Sequence, residues 1–166
     1  IAAAGSDGIL HVWNPLFSSE ALRFRADPQS VADVAFSPDG LTLVTAGMSG
    51  RVSLWNSSAG LEAQTLTAPG MLETVAFHPT EPYVAAAGMN RNEVRVWNRE
   101  QPSQPIILKG HKAGIASVAF APDGRQLASA GIDRTVRIVD FRDPGNAPMI
   151  LDGHTAPVHA LAFRPD

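Results

Sequence analysis

An all-β chain assembled from one repeated four-stranded unit follows from three features of these 166 residues. A phrase ending in Phe recurs as Val34-Ala35-Phe36-Ser37-Pro38, Val75-Ala76-Phe77-His78-Pro79, Val118-Ala119-Phe120-Ala121-Pro122 and Leu161-Ala162-Phe163-Arg164-Pro165, its Phe residues 41, 43 and 43 positions apart. A second phrase, Val12-Trp13-Asn14, Leu54-Trp55-Asn56, Val96-Trp97-Asn98 and Val139-Asp140, holds an interval of 42 from Trp13 through Trp55 and Trp97 to Val139. The third feature is that every window of helical length contains a breaker. Two unrelated phrases on one beat leave almost no room for coincidence, and such a period signals a repeat architecture.

Within one period the pattern is that of strands. Ile115 to Phe120, Gln126 to Ala130 and Thr135 to Val139 are short apolar or alternating runs separated by Pro-Asp-Gly and Gly-Ile-Asp turns. A fourth strand, Met149-Ile150-Leu151, follows a Pro/Gly/Asn-rich loop, with counterparts at Ile106-Ile107-Leu108, Gln64-Thr65-Leu66 and Leu22-Arg23-Phe24. Residues 1–27 therefore hold the second, third and fourth strands of one unit, 28–67, 68–109 and 110–152 are whole units, and 153–166 bring a first strand at His159 to Asp166. A four-stranded sheet of this size cannot cover both its faces, so it stacks on neighbours, and radial repetition leaves only short edges. The expected arrangement is a β-propeller. Ala46, Ala85, Ala86, Ala87, Ala128 and Ala130 fit it, because small second-strand residues let sheets approach closely. A sandwich of hairpins needs no fixed period.

Composition excludes several functions. Hydrophobic residues make up 45% and charged residues 17% of the chain, with 13 Lys+Arg against 16 Asp+Glu, which argues against disorder and against a nucleic-acid footprint. Eleven Arg and two Lys lie scattered among acids. The absence of cysteine removes disulfides, thiol nucleophiles and thiolate metal sites and is compatible with a reducing, cytoplasmic setting. No apolar run approaches the roughly 20 residues of a membrane span, and Ile1-Ala2-Ala3-Ala4 is too short for a signal core.

The string Lys109-Gly110-His111 … Ile115-Ala116-Ser117-Val118-Ala119-Phe120-Ala121-Pro122-Asp123-Gly124 … Leu127-Ala128-Ser129-Ala130-Gly131-Ile132-Asp133-Arg134-Thr135-Val136-Arg137-Ile138-Val139-Asp140 resembles a WD40-repeat unit, with its Gly-His opening and Trp-Asp-like close. The resemblance covers essentially the whole chain. Members of that family mostly have about seven blades, which implies that these four blade-equivalents belong to a larger ring, within the range of about 4–8 blades. A first residue other than Met, and a last phrase stopping at Arg164-Pro165-Asp166, read as cut ends. Four blades closing on themselves and two copies pairing into an eight-bladed ring are the rival arrangements.

His111, Ser129 and Asp133 are also the ingredients of a hydrolytic triad. The resemblance implies instead a buried hydrogen-bonded network of His, Ser/Thr, Asp and Trp that ties each blade together, and no strand-to-helix elbow presents Ser129 to a substrate. The network is incomplete elsewhere. Val139 stands where His111's blade would have Trp; the blades of Trp55 and Trp97 place Asp27 and Ala68 in the His position and Ser49 and Asn90 in the Asp position; Trp13 has Asp7 in its turn but Ala3 for the Ser. Those blades are expected to rely on apolar packing, and His154 opens a unit that the sequence does not complete.

No metal or cofactor is expected. His154 and His159 are five apart across a Pro-containing loop, His11 and His78 lie on separate elements, and no carboxylate joins a pair at ligand spacing. Gly47-Met48-Ser49-Gly50 and Gly131-Ile132-Asp133-Arg134 lack the Lys and helix of a phosphate loop and read as hairpin turns. First-strand positions nearest the axis, Ala32, Ala35, Ala76, Ala116, Ala119 and Ala162, offer little to a central-channel enzyme.

A recognition surface remains. The turn residue before the Asp position is Ser6, Met48, Met89 and Ile132 in successive units, joined by Met71, Lys112 and Ala113, with Arg51, Arg91 and Arg134 nearby. Apolar groups ringed by cations suit a protein or peptide partner. The expected role is a non-catalytic scaffold within a larger signalling or assembly protein. The Ala- and Arg-rich composition and the Phe141-to-Pro148 linker resemble bacterial WD-repeat regions attached to signalling ATPases or kinases, which implies a sensor region as the alternative. A propeller enzyme is the competing class.

Overall fold

The computed structural model describes residues 1–14, 16 and 19–164, apart from the side chains of Ser19 and Glu20. Among the described residues fifteen strands form four antiparallel meanders. The first sheet is β1 (Ala2–Ala4), β2 (Ile9–Asn14) and β3 (Ser19–Arg25). The second is β4 (Val31–Phe36), β5 (Thr42–Gly47), β6 (Arg51–Asn56) and β7 (Glu62–Thr67); the third is β8 (Thr74–Phe77), β9 (Tyr83–Ala87), β10 (Glu93–Asn98) and β11 (Gln101–Lys109). The fourth is β12 (Ile115–Phe120), β13 (Leu127–Gly131), β14 (Val136–Val139) and β15 (Met149–Leu151). These are blades of a β-propeller, and the described residues contain no helix.

Both faces of the inner strands are buried, and the two-residue period assigns each face to a different neighbour. Leu43 of β5 packs with Leu10, Val12 and Trp55 toward the first sheet, whereas Val44 and Ala46 pack with Val75, Val84 and Trp97 of the third. In β9, Val84 and Ala86 face the second sheet while Ala85 and Ala87 meet Val118, Phe120 and Leu127 of the fourth. Each fully buried Val or Leu contributes about 1.5–3 kcal/mol. The alanines occupy the closely approached inner strands, as expected.

The first strands are tied to one another by side chains. The β4–β5 register shifts between Val31 and Asp33. Asp33 Oδ2 accepts the Val75 amide of the next sheet at 2.9 Å, and Thr74 Oγ1 accepts the Val118 amide of the sheet after that at 3.2 Å. Asp33 and Thr74 hold equivalent positions, so the axis is laced by one recurring bond.

The sheets do not close into a ring. Within its three-stranded sheet, β1 pairs with β2 alone. The segment His159–Asp166, read above as a first strand, forms no strand through Arg164, while Pro165 and Asp166 lie outside the described residues. A first strand takes its ladder from the second strand of its own sheet, and none follows within this sequence. The approach to that strand is nevertheless in place. Val158 is buried and donates its amide to Gly131 O at 3.1 Å, as Val31 does to Gly5 O and Ile115 to Gly88 O at the same distance. Four blades closing with both ends in one sheet is not the arrangement observed.

Candidate functional site

His111 precedes β12, Ser129 sits in the middle of β13, and Asp133 lies in the tight turn to β14. The side chain of Asp133 is buried, and Ser129 and His111 are buried as well. His111 Nδ1 lies 3.0 Å from Asp133 Oδ2 and Nε2 lies 2.9 Å from Ser129 Oγ. Asp133 also accepts the Lys112 amide at 2.8 Å, the Thr135 amide at 3.1 Å and the Thr135 hydroxyl at 2.8 Å. Burial pushes the Asp133 carboxyl up, but the Lys112 amide, Thr135 and His111 outweigh it and hold it well below the usual carboxylate range. For His111 burial is the largest influence and lowers the imidazole, Asp133 opposing it and Arg137 reinforcing it. The bonding fits a neutral ring: Nδ1–H donates to the carboxylate, and Nε2 accepts the Ser129 hydroxyl. A Cβ on Gly131 would come within 2.5 Å of both His111 and Asp133, so the glycine is required by their closeness. The three groups spend their hydrogen-bonding capacity on the fold and offer a substrate no access.

The second sheet builds a different polar clasp. Asp27, in the His position, accepts the Ser49 hydroxyl at 2.5 Å and the Gln29 amide at 2.8 Å. Trp55 Nε1 donates to Thr45 Oγ1 at 3.1 Å, with both side chains buried. The expectation that this blade relies on apolar packing is therefore corrected: a carboxylate stands in the His position and a hydroxyl in the Asp position, and Thr45, which the motif comparison left unnamed, completes the pair with Trp55. Thr45→Val is expected to lower stability by about 1–2 kcal/mol, because the indole N–H loses its partner; thermal melting followed by tryptophan emission checks it.

The third sheet keeps only Asn90, in the Asp position, with Ala68 in the His position and Ala86 where Thr45 and Ser129 stand. Main chain fills the gap: a Cβ on Gly88 would fall 1.9 Å from Met71 O. Trp97 is buried against Ala86 and Val84 of its own sheet and Leu54 of the second. In the first sheet, Trp13 stacks on His11 with ring centroids 5.4 Å apart, and Asp7 Oδ1 accepts the Ile9 amide at 3.0 Å.

His78 is a structural residue that the repeat alone did not mark. It is 2% exposed. Its Nδ1 accepts the amides of Thr80 and Glu81, so Nε2 carries the proton and donates to Gly124 O of the next sheet at 2.8 Å. Phe120, Phe141 and Tyr83 surround it edge-on.

The residues expected to meet a partner come together on one rim. A Cβ on Gly50 would strike Ala68 O, one on Gly88 Met71 O, and one on Gly114 Met89 O, so turns and connecting loops rest on one another. Met71 and Met89 are exposed large apolar side chains. Arg91, Lys112 and Arg134 are exposed, and Met48 and Ile132 are half-buried. Arg51 is engaged elsewhere, with Glu62 at 2.8 Å and Thr65 at 3.2 Å.

Comparison with known proteins agrees with this geometry. Residues 19–56 and 103–140 match the family model WD40, described as WD domain, G-beta repeat. The chain is 28% identical over 117 residues to Periodic tryptophan protein 2 of Arabidopsis thaliana, covering 69% of this chain and 13% of that protein. It is 26% identical over 115 residues to WD repeat-containing protein srw1 of Schizosaccharomyces pombe, covering 67% and 21%. It is 32% identical over 82 residues to Telomerase protein component 1 of Rattus norvegicus, covering 49% and 3%. The chain thus spans 21% or less of each relative's length. Given this period, these four meanders and the His111–Ser129–Asp133 clasp, residues 19–56 and 103–140 are WD40 repeats of a β-propeller.

Proposed function

We propose that this chain is a non-catalytic protein-interaction scaffold, one module of a larger signalling or assembly protein, and that its partner lies across the rim formed by the turns of the second, third and fourth sheets. The observation that carries this reading is the rim itself. Met71 and Met89 are 38% and 41% exposed on turns whose backbones are locked by neighbouring loops, with Arg91, Lys112 and Arg134 around them. Exposed methionine adapts to a partner surface, and flanking cations orient it. The catalytic alternative draws little support, since the residues resembling a triad are buried and mutually satisfied. WD repeat-containing protein srw1 carries the repeat in its name, which supports this reading.

Replacing Met48, Met89 and Ile132 together by Ser is expected to reduce partner capture at least 10-fold, with the melting temperature little changed because none of the three belongs to the buried core. Affinity purification of the intact protein and of the variant, compared by quantitative mass spectrometry, checks this. Undiminished capture of the same proteins by a folded variant defeats the reading.

A further inference from the structure

Arg134 is the one residue other than glycine with a positive φ among the described residues, at 70°. The equivalent turn positions of the first and second sheets hold Gly8 at 74° and Gly50 at 85°. A residue with a Cβ is disfavoured in that left-handed region by roughly 1–2 kcal/mol. The turn does not need the side chain: the Arg134 amide donates to Gly131 O at 3.1 Å, and Asp133 receives Thr135 from the other side. The Arg134 side chain is exposed, and its guanidinium makes no hydrogen bond or ion pair among the described residues. Strain retained around an exposed, idle cation is the kind that persists for function.

The surrounding charge says what that function is. The rim segments 88–92, 109–114 and 131–135 carry Arg91, Lys109, Lys112 and Arg134 against a single carboxylate, Asp133. The Asp133 side chain is 6% exposed and already accepts four donors. Within these three segments the positive charge therefore meets no exposed carboxylate, the exposed Asp152 standing just past the Val136–Leu151 pair of the outer strand, and between the cations stand Met89 and Ile132. The Lys112–Gly114 loop joins the two sides, since Ile132 donates its amide to Gly114 O at 2.8 Å and Met89 O lies against Gly114.

We propose that Arg134, seconded by Lys112, anchors a carboxylate of an acidic segment in the protein partner, with an apolar residue beside that Asp or Glu resting on Ile132 and Met89. A guanidinium grips a carboxylate bidentately, which explains an Arg where glycine would fit the backbone better. The proposal rests on the rim being the partner surface.

The test is a fluorescence-polarisation titration of the intact protein with labelled octapeptides of Glu and Leu at varied spacing, alongside Gln-for-Glu and phosphoserine-for-Glu counterparts. The Glu-Leu peptides are expected to bind, at least 10-fold more tightly than the Gln peptides, and more weakly as salt rises. Arg134→Gly is expected to weaken binding at least 10-fold while its melting temperature stays equal or rises, because glycine relieves the turn. Retention of affinity within twofold by R134G, equal binding of the Gln peptides, binding of phosphoserine peptides alone, or no peptide binding overturns the assignment. The Met48/Met89/Ile132 triple Ser variant separates the two readings: loss there with R134G unaffected sinks the anchor and keeps the rim, whereas a triple variant that binds like the wild type sinks both.

Discussion

Replacing His111 with Ala is expected to lower stability by about 2–4 kcal/mol, because it deletes a buried ring and leaves the Ser129 hydroxyl without its acceptor. For a chain of this length that corresponds to a fall in melting temperature on the order of 5–15 °C. The pH dependence identifies the charge state. Burial holds the folded His111 below its ordinary value of 6.5, so the unfolded chain binds the proton more readily. The ring's contribution is then fully present above about pH 6.5 and declines as the pH falls toward the folded value. Asp133 is also depressed, from an ordinary 3.8, so its contribution is present above that value and is lost only in stronger acid. The difference in stability between wild type and His111→Ala should therefore shrink from pH 8 to pH 5.5, as read by denaturant unfolding at each pH. A difference that grew on acidification would show a protonated ring paired with Asp133 and would overturn the neutral assignment.

The repeat and the strands were legible because they are local: a 42-residue beat, two-residue alternation and Pro-Asp-Gly turns lie within a few residues of one another. The His111–Ser129–Asp133 clasp was legible for a related reason, since one unit carries all three members and the family resemblance assigns their roles. What the sequence hid depends on the neighbouring sheet. Asp27 and Ser49 looked like losses from the motif, yet a carboxylate in the His position and a hydroxyl in the Asp position remain complementary with donor and acceptor reversed. Ala68 and Ala86 in the third blade do not by themselves show that the Met71–Leu72 main chain moves over Gly88 to fill the space. Asp33 carried no motif signal at all, because its partner, the Val75 amide, stands a full period away. The strand expected at His159–Asp166 failed for the converse reason: its phrase is right, but a ladder needs a second strand.

Phe141→Ala should be among the most destabilising substitutions, at about 3–5 kcal/mol, although Phe141 opens a stretch that reads as a linker. It is 0% exposed. Its ring meets Tyr83 at 5.2 Å, Phe120 at 5.3 Å and His78 at 5.7 Å between centroids, each contact edge-on. Tyr83 and His78 belong to the third sheet and Phe120 to the fourth, so the cluster clasps two blades at the end opposite the partner rim. His78 adds a hydrogen bond to Gly124 O across the same seam. Removing Phe141 empties the centre of this cluster and should open the seam before either sheet melts. Hydrogen exchange checks this: amides of β9 and β13 should lose protection together in the variant, while those of β5, served by a different core, change little. Uniform loss across all sheets would mean that the blades unfold as one unit and that the clasp is not local. Because the Met89 turn and the Lys112–Gly114 loop are held in register by these same two sheets, the variant should also weaken any ligand that spans both, even though Phe141 never touches it.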